Sequence, residues 1–320
     1  MSDGLRPLVS VILPVYNNER WLSASLGSVF NQDMGDYEVI VIDDGSTDRS
    51  VSRVRGFQDS RLRLLQRPHG GTIAALNSGL ANARGKYVAR MDADDVSLPS
   101  RLREQVAAAE SDGAVIVVGC GFDLIDTSGR ECGRVIPPVV DAHLRRRLLV
   151  RNPFAGGSIL IRFDGRVTYN EQSRRAEDYE LIWRLSQRGL LTSVPKRLYK
   201  WRRHEANSSD IHRRQRDSAS ARIKQQVWDR GIPSPLSRSA LNDALTDYLQ
   251  IGGEDGSMVA AQFVETEILI AAALASRGHL RAATRHMAGL ALSLPRAWRP
   301  LVMDFPGRFP RVLRSFFRLT

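Results

Sequence analysis

Apolar and polar positions follow two alternating periods over the first two hundred residues. Val9–Leu13 is a short, β-branched apolar run, the pattern of a strand buried on both faces, and Pro14 is expected to end it. Across Arg20–Phe30 the apolar residues Trp21, Leu22, Leu26, Val29 and Phe30 fall at helical spacing. Tyr37–Ile42 reads as a second buried strand. It runs into Asp43-Asp44-Gly45-Ser46-Thr47-Asp48, where Ser46 or Thr47 is expected to cap the next helix. The same reading gives strands at Leu62–Leu65, Lys86–Met91 and Ala114–Val118, and helices at Thr72–Ala83 and Pro99–Glu110. Strand–helix alternation at this spacing predicts an α/β protein with a parallel sheet and helices on both faces. Ligands of such sheets bind beyond the carboxyl ends of the strands.

Farther on, Asn152–Ile161 reads as a glycine turn, Gly156-Gly157-Ser158, entering a strand at Ile159–Ile161. Tyr179–Leu190 reads as an amphipathic helix, Tyr199–His204 as a closing strand and Ser209–Arg230 as a helix. Pro233 and Pro235 mark Gly231–Ser239 as a linker. Helical stretches follow at Ala240–Ile251, Met258–Ser276 and Leu280–Leu294. We therefore expect a domain over 1–230 and a C-terminal α-helical extension over 231–320.

Composition narrows the class. With 42% hydrophobic and 25% charged residues in 320, the chain is globular rather than disordered, collagen-like or coiled coil. Its two cysteines, Cys120 and Cys132, lack metal-ligand spacing and exclude a disulfide scaffold, so reduced thiols in a cytoplasmic setting are expected. No apolar run approaches the roughly 18 residues of a membrane span, and Met1–Pro7 shows no hydrophobic signal region.

Charge adds one further feature. The formal net charge is +11, and only Lys86, Lys196, Lys200 and Lys224 of the 46 basic residues are lysines. Residues 277–320 hold nine arginines against one acid, Asp304. From 295 onward these arginines are interleaved with Trp298, Phe305, Phe309, Phe316 and Phe317. Such a segment suits the surface of an anionic membrane, at the inner face of the cell membrane, or a terminal helix docked on the protein itself. No nucleic-acid-binding motif accompanies the charge.

Asp43, Asp44, Asp92, Asp94 and Asp95 all lie just past predicted strand ends, so the topology gathers them at one sheet edge. Aspartates also favour turns and caps. Carboxylates gathered this closely repel one another, and a divalent cation bridging them to phosphate oxygens would relieve the repulsion. Hard oxygen donors suit Mg²⁺ or Mn²⁺.

The ordered set Pro14-Val15-Tyr16-Asn17, Asp43-Asp44-Gly45-Ser46-Thr47-Asp48, Asn77 with Gly79, and Asp92-Ala93-Asp94-Asp95, followed by Glu177-Asp178, resembles the family 2 glycosyltransferases. The resemblance covers about Ser10 to His204. It implies a GT-A fold, Rossmann-like with a mostly parallel sheet, and a nucleotide-sugar donor. By this resemblance Pro14 and Tyr16 contact the base, Asp44 accepts a hydrogen bond from its ring N–H, and Gly70 lets the backbone approach the nucleotide. Asn77 belongs to the same nucleotide-sugar motif set. Asp92 faces the ribose or sugar, and Asp94 is the direct metal ligand. His204 returns toward the diphosphate or metal. His69 receives no role, and Asp95 is expected only to cap the next helix. Asp178 is the general base, with Glu177 beside it; the pair also suits the acidic first turn of a helix.

These features point to a metal-dependent, inverting glycosyltransferase that uses a nucleotide-sugar, with UDP-sugar expected. Its acceptor would be a saccharide or lipid-linked molecule in bacterial polysaccharide or glycoconjugate synthesis. The rivals are a sugar nucleotidyltransferase and a non-catalytic binder of sugar nucleotides or membrane surfaces. The former would show a basic, glycine-rich segment near the first strand, which Leu13–Glu19 lacks. Retention of both the metal acids and Glu177-Asp178 argues against the latter.

Overall fold

A computed structural model describes residues 6–205, 213–229 and, farther on, 266, 267, 269–271, 274, 282, 283 and 286. The linker at 231–239, the helical stretch at 240–251 and the basic aromatic segment at 295–320 lie outside the described residues, as do most of 258–276 and 280–294. The chain forms two compact units. One comprises 1–144 and 152–223; the other comprises 145–151 and 224–320, so the second unit recruits a short segment from far upstream.

The elements along the chain begin with β1 (Val9–Val15), α1 (Leu22–Phe30), β2 (Tyr37–Asp43), α2 (Ser50–Arg55), β3 (Leu62–Gln66), α3 (Thr72–Asn82) and β4 (Tyr87–Arg90). A two-residue β5 (Val96–Ser97) precedes α4 (Arg101–Glu110), β6 (Val115–Ile125), β7 (Glu131–Val135) and α5 (Asp141–Leu148). A 3₁₀ turn at Gly156–Ser158 leads into β8 (Leu160–Arg162). A second such turn, Glu171–Ser173, precedes α6 (Glu177–Ser186), β9 (Leu190–Arg202) and α7 (Arg213–Asp229).

The sheet order is β3-β2-β1-β4-β8-β6-β9-β5, with β7 paired to β6. The strands β3, β2, β1 and β4 are mutually parallel, as the alternation predicts. Between β4 and β6 the short β8 inserts antiparallel to both. Every residue of β2 is buried, which requires cover on both faces. On one face Val9, Val11, Leu13, Val39 and Val41 join Leu22, Leu26 and Val29 of α1 in the main core. On the other, Ile12 and Ile42 meet Gly79 of α3 so closely that a side chain there has no room.

Several boundaries differ from the sequence reading for identifiable reasons. Pro14 does not end β1, which continues through it to Val15 paired with Asp43. The pairing with β4 stops at Ile12, so the missing N–H of Pro14 removes no ladder bond on that side. Neither Ser46 nor Thr47 caps a helix: α2 starts later, and both residues bind Asn17, Ser46 through its Oγ and Thr47 through its N–H (3.0 and 2.8 Å). Leu190 opens β9 instead of closing α6, and β9 runs thirteen residues where Tyr199–His204 was expected. A register shift against β6 passes over Pro195 and Lys196, which hid the strand from a periodicity reading.

In the second unit Glu267 is fully buried. It accepts from Nε and Nη2 of Arg146 (2.6 and 2.5 Å) and lies 2.8 Å from Nε2 of His286. Nε1 of Trp228 donates to the Leu149 carbonyl at 3.0 Å. These bonds tie 145–151 to the later part of the chain. No described helix is long and apolar enough to cross a membrane.

The close approach of α3 gives a direct test. A Cβ on Gly79 would lie 2.5 Å from Cγ2 of Ile12 and 2.8 Å from Cδ1 of Ile42. Gly79→Ala should therefore cost about 1–2 kcal/mol, overpacking outweighing the better helix propensity of alanine. Gly27→Ala in α1, where nothing lies within 4 Å, should be neutral or stabilising. Denaturant unfolding should show a loss of stability for Gly79→Ala and none for Gly27→Ala.

Candidate active site

The C-terminal ends of β1, β2 and β4 face one edge of the sheet, and the predicted acids lie there. At the β1 and β2 ends the Asn17 backbone adopts a left-handed conformation (φ 47°), and its side-chain oxygen takes the Thr47 N–H at 2.8 Å. Tyr16, 48% exposed, stacks on His69 with ring centroids 4.1 Å apart. His69, which the sequence reading left without a role, thus shares the aromatic platform.

Asp44 is buried, and its carboxylate organises the loop after β3. The N–H groups of Gly70 and Gly71 donate to it at 3.1 and 2.7 Å, His69 Nδ1 lies 2.9 Å away, and the Arg67 guanidinium forms an ion pair. Gly71 follows with φ of 91°, a conformation that suits glycine. Both oxygens of Asp44 accept hydrogen bonds from the loop that follows β3. Gly70 likewise has its N–H turned to Asp44. Asn77 is clamped too: its side-chain oxygen takes the Tyr169 N–H at 2.7 Å, and its amide donates to the Tyr169 carbonyl at 2.9 Å. Asn77 thus braces α3 against the 167–170 segment.

After β4 the three aspartates separate by partner. Asp92 accepts from Arg90 Nε at 3.0 Å. Burial raises its carboxyl, the charge of Asp94 adds to the rise, and Arg90 opposes it. Asp94 lies 2.9 Å from Nε2 of His204. Asp95 is not the helix cap it was expected to be. It is buried, takes the Tyr199 hydroxyl at 2.6 Å and the Arg202 N–H at 2.7 Å, and so fastens β9 to the acidic turn. Burial, then the charges of Asp94 and Asp92, push its carboxyl well above the carboxylate range. Arg202 caps the arrangement by donating to the Asp94 carbonyl at 2.8 Å and stacking on Trp21 at 4.3 Å.

Asp178, in the first turn of α6, is brought to the same edge. The buried Arg90 guanidinium pairs with it and with Asp92 at once, a link the sequence reading missed. Burial raises the Asp178 carboxyl to about 7; Glu177 and Asp92 add to the rise, and Arg90 opposes it. The turn at Gly156–Ser158 passes directly beneath. A Cβ on Gly156 would collide with Asp178 Oδ2, and one on Gly157 with the Tyr199 hydroxyl. Glycines there let the backbone lie against both groups.

Residues 10–163 match the family model of glycosyl transferase family 2. A Haemophilus influenzae protein named as an uncharacterized glycosyltransferase is 30% identical over 237 residues, covering 69% of this chain and 73% of that protein. The chain belongs to glycosyl transferase family 2. An uncharacterized Bacillus subtilis glycosyltransferase, EpsJ, is 32% identical over 139 residues, or 43% of this chain and 39% of its own. Staphylococcus aureus TarS 1–349, solved with UDP-GlcNAc, superposes with a TM-score of 0.53 at 19% identity, covering 92% of this chain and 84% of that one. The glycosyltransferase therefore has the GT-A fold, with the acids at the expected sheet edge.

Among the described residues no group of three or more His, Cys, Asp and Glu converges to hold a metal by itself. Asp94 and His204 converge as a pair. The Asp94 carboxylate is a hard oxygen donor that fits Mg²⁺ or Mn²⁺, which commonly take one or two protein groups and complete their shell from substrate and water.

The loop around Asp44 supplies a test within this glycosyltransferase. Asp44→Ala leaves the N–H groups of Gly70 and Gly71 without their acceptor, a loss of about 1–3 kcal/mol for each group left unpaired. Thermal unfolding should fall accordingly, with nucleotide affinity, because the His69–Tyr16 stack rests on the same loop. An unchanged melting temperature would show that the loop holds without Asp44.

Proposed function

We propose that this transferase catalyses inverting transfer from a UDP-activated sugar to an acceptor hydroxyl, with Asp178 as general base. The observation that carries the reading is the placement of Asp178 against Arg90, beside Asp92 and its neighbour Asp94, with its carboxyl held near neutrality. A base poised near the working pH combines a useful ionised fraction with enough basicity to accept the hydroxyl proton. The acceptor oxygen attacks the anomeric carbon as its proton passes to Asp178, and the nucleotide leaves from the opposite face of the sugar. Tyr16 and His69 form the aromatic platform for the base, and Asp92 faces the ribose or sugar. A divalent cation at Asp94 and His204, when bound, would neutralise charge on the departing diphosphate.

TarS, which shares the fold, was solved with UDP-GlcNAc and with UDP, and this supports a UDP-sugar donor. The acceptor side of the proposal, a saccharide or lipid-linked molecule, rests on the family resemblance. The arginine- and aromatic-rich 277–320 segment is the part of the chain we assign to an anionic membrane surface.

Nucleoside-diphosphate release across a panel of UDP- and GDP-sugars, with and without Mn²⁺, tests the donor and the metal together. Asp94→Asn should lose nearly all turnover and the Mn²⁺ dependence of donor binding. Wild-type turnover at saturating Mn²⁺ would remove Asp94 from the metal site.

Asp178→Asn should lower kcat by about 10²–10⁴-fold while calorimetric donor affinity stays nearly intact. Because the base works deprotonated, kcat/KM should fall about tenfold per unit as pH drops below about 7, the value toward which burial raises the Asp178 carboxyl. A loss under tenfold in Asp178→Asn would move the base elsewhere, with Glu177 the first residue to test.

A further inference from the structure

We propose that Arg90 is a positioning residue for transfer: its guanidinium aims the Asp178 carboxylate at the acceptor and ties it to the donor side through Asp92. The inference rests on the reading of Asp178 as the base.

Arg90 ends β4, two residues before Asp92 in sequence and 88 before Asp178. Its Nε donates to Asp92 Oδ1 at 3.0 Å, and its Nη1 donates to Asp178 Oδ1. The side chain is 8% exposed, so water competes little for these bonds. Its backbone is fixed as firmly. The Arg90 N–H donates to the Ile159 carbonyl at 3.2 Å, and the fully buried Arg101 donates to the Arg90 carbonyl at 2.8 Å. An anchored strand end therefore presents one planar fork to two acids that come from distant parts of the chain. A guanidinium can engage two carboxylates in fixed directions; an ammonium is a point charge on a flexible stem.

The geometry also separates the oxygens of each acid. Oδ1 of Asp178 is taken by Arg90, while Oδ2 lies over Gly156 and accepts no hydrogen bond among the described residues. Oδ1 of Asp92 is likewise taken by Arg90, and Oδ2 lies over Gly157. One oxygen of each acid is thus held, and the other faces the glycine turn. Free rotation would let either oxygen of Asp178 turn away from the acceptor, at the cost of the alignment that transfer requires.

The charged and titratable groups acting on Asp178 are Arg90, Glu177 and Asp92. Tyr169, whose ring lies 5.9 Å from the Arg90 guanidinium, borders the same group. Of these groups, Arg90 favours the ionised base. Without it, burial and both acids act together to hold the proton on, so the acid limb of the rate profile should move to higher pH. A purely structural role would lower the rate alike at every pH.

The test follows UDP release from the UDP-sugar most active in the panel above, measured from pH 5.5 to 9 with circular dichroism as a check on folding. Arg90→Gln should lower kcat by about 10²-fold at pH 7 and move the acid limb of kcat/KM upward by about one unit or more. Arg90→Lys should recover about tenfold of that loss and part of the shift, since it keeps the charge but engages one acid. In an Asp178→Asn background, adding Arg90→Gln should cost less than about threefold, because the two residues act as one unit.

An unshifted acid limb in folded Arg90→Gln, or losses that multiply fully in the double variant, would overturn the proposal. If Arg90→Gln does not fold, an unshifted limb and full kcat in Arg90→Lys would overturn it equally. Wild-type turnover in Asp178→Asn would instead remove the base assignment itself. An inactive Asp178→Asn beside an unshifted Arg90→Gln would reject only the role of Arg90.

Discussion

Repulsion among carboxylates at one sheet edge is the constraint that the rest of the catalytic unit answers. Asp44, Asp92, Asp94, Asp95 and Asp178 approach the same region, several of them buried, where water cannot screen their charges. Arginine side chains meet them at nearly every point. Arg67 pairs with Asp44, and Arg90 with Asp92 and Asp178; Arg202 donates through its backbone N–H to Asp95 and through its side chain to the Asp94 carbonyl. Arg101 sits beneath, fully buried, and holds the Arg90 carbonyl. The acids stay ionisable and close together because cations from two strands, a helix and a loop are fixed among them.

Fixing those cations depends on backbone approach. The 156–158 turn can lie under Asp178 and Tyr199 only because two successive residues lack a Cβ. Asp44 satisfies two consecutive loop N–H groups, which shapes the segment that carries His69 to Tyr16. Tyr199 connects the two halves of the site. Its hydroxyl binds Asp95 while its ring lies 5.1 Å from the Arg101 guanidinium, so β9 and the acidic turn hold one relation to each other. The reactive edge therefore draws its rigidity from the long strand β9 as much as from the parallel strands that carry the acids.

How much of this was legible in the sequence depended on distance along the chain. The parallel half of the sheet, the acids past β2 and β4, and the approach of His204 to Asp94 follow local pattern or ordered motif, and the first two were readable from spacing alone. The partners of Asp44, Asn77 and Asp95 were not. Each is held by groups 23 to 107 residues away, and a residue type that suits a base, a nucleotide or a cap equally suits a loop clamp. Arg90 was hidden differently. In a chain with 46 basic residues, all but four of them arginine, one more arginine at a strand end carries no local signal. Trp21 was read as part of the apolar face of α1. It stands instead at the helix start between Arg20 and Arg202, 4.2 and 4.3 Å from their guanidinium carbons.

The arginine excess itself then has two meanings in one molecule. In the second unit, Arg146 closes on a fully buried Glu267 that also faces His286, a network that fastens two distant stretches of one compact unit. At the sheet edge the same side chain holds acids that must remain chemically available. The difference lies in how the partners are satisfied. Both oxygens of Glu267 are engaged by Arg146, Oε1 by Nε and Oε2 by Nη2, and the carboxylate is fully buried within the unit. Arg90 spreads its donors over two acids and leaves one oxygen of Asp178 without a bond among the described residues. A closed pair builds structure, whereas a shared fork keeps a carboxylate oriented and still able to take a proton.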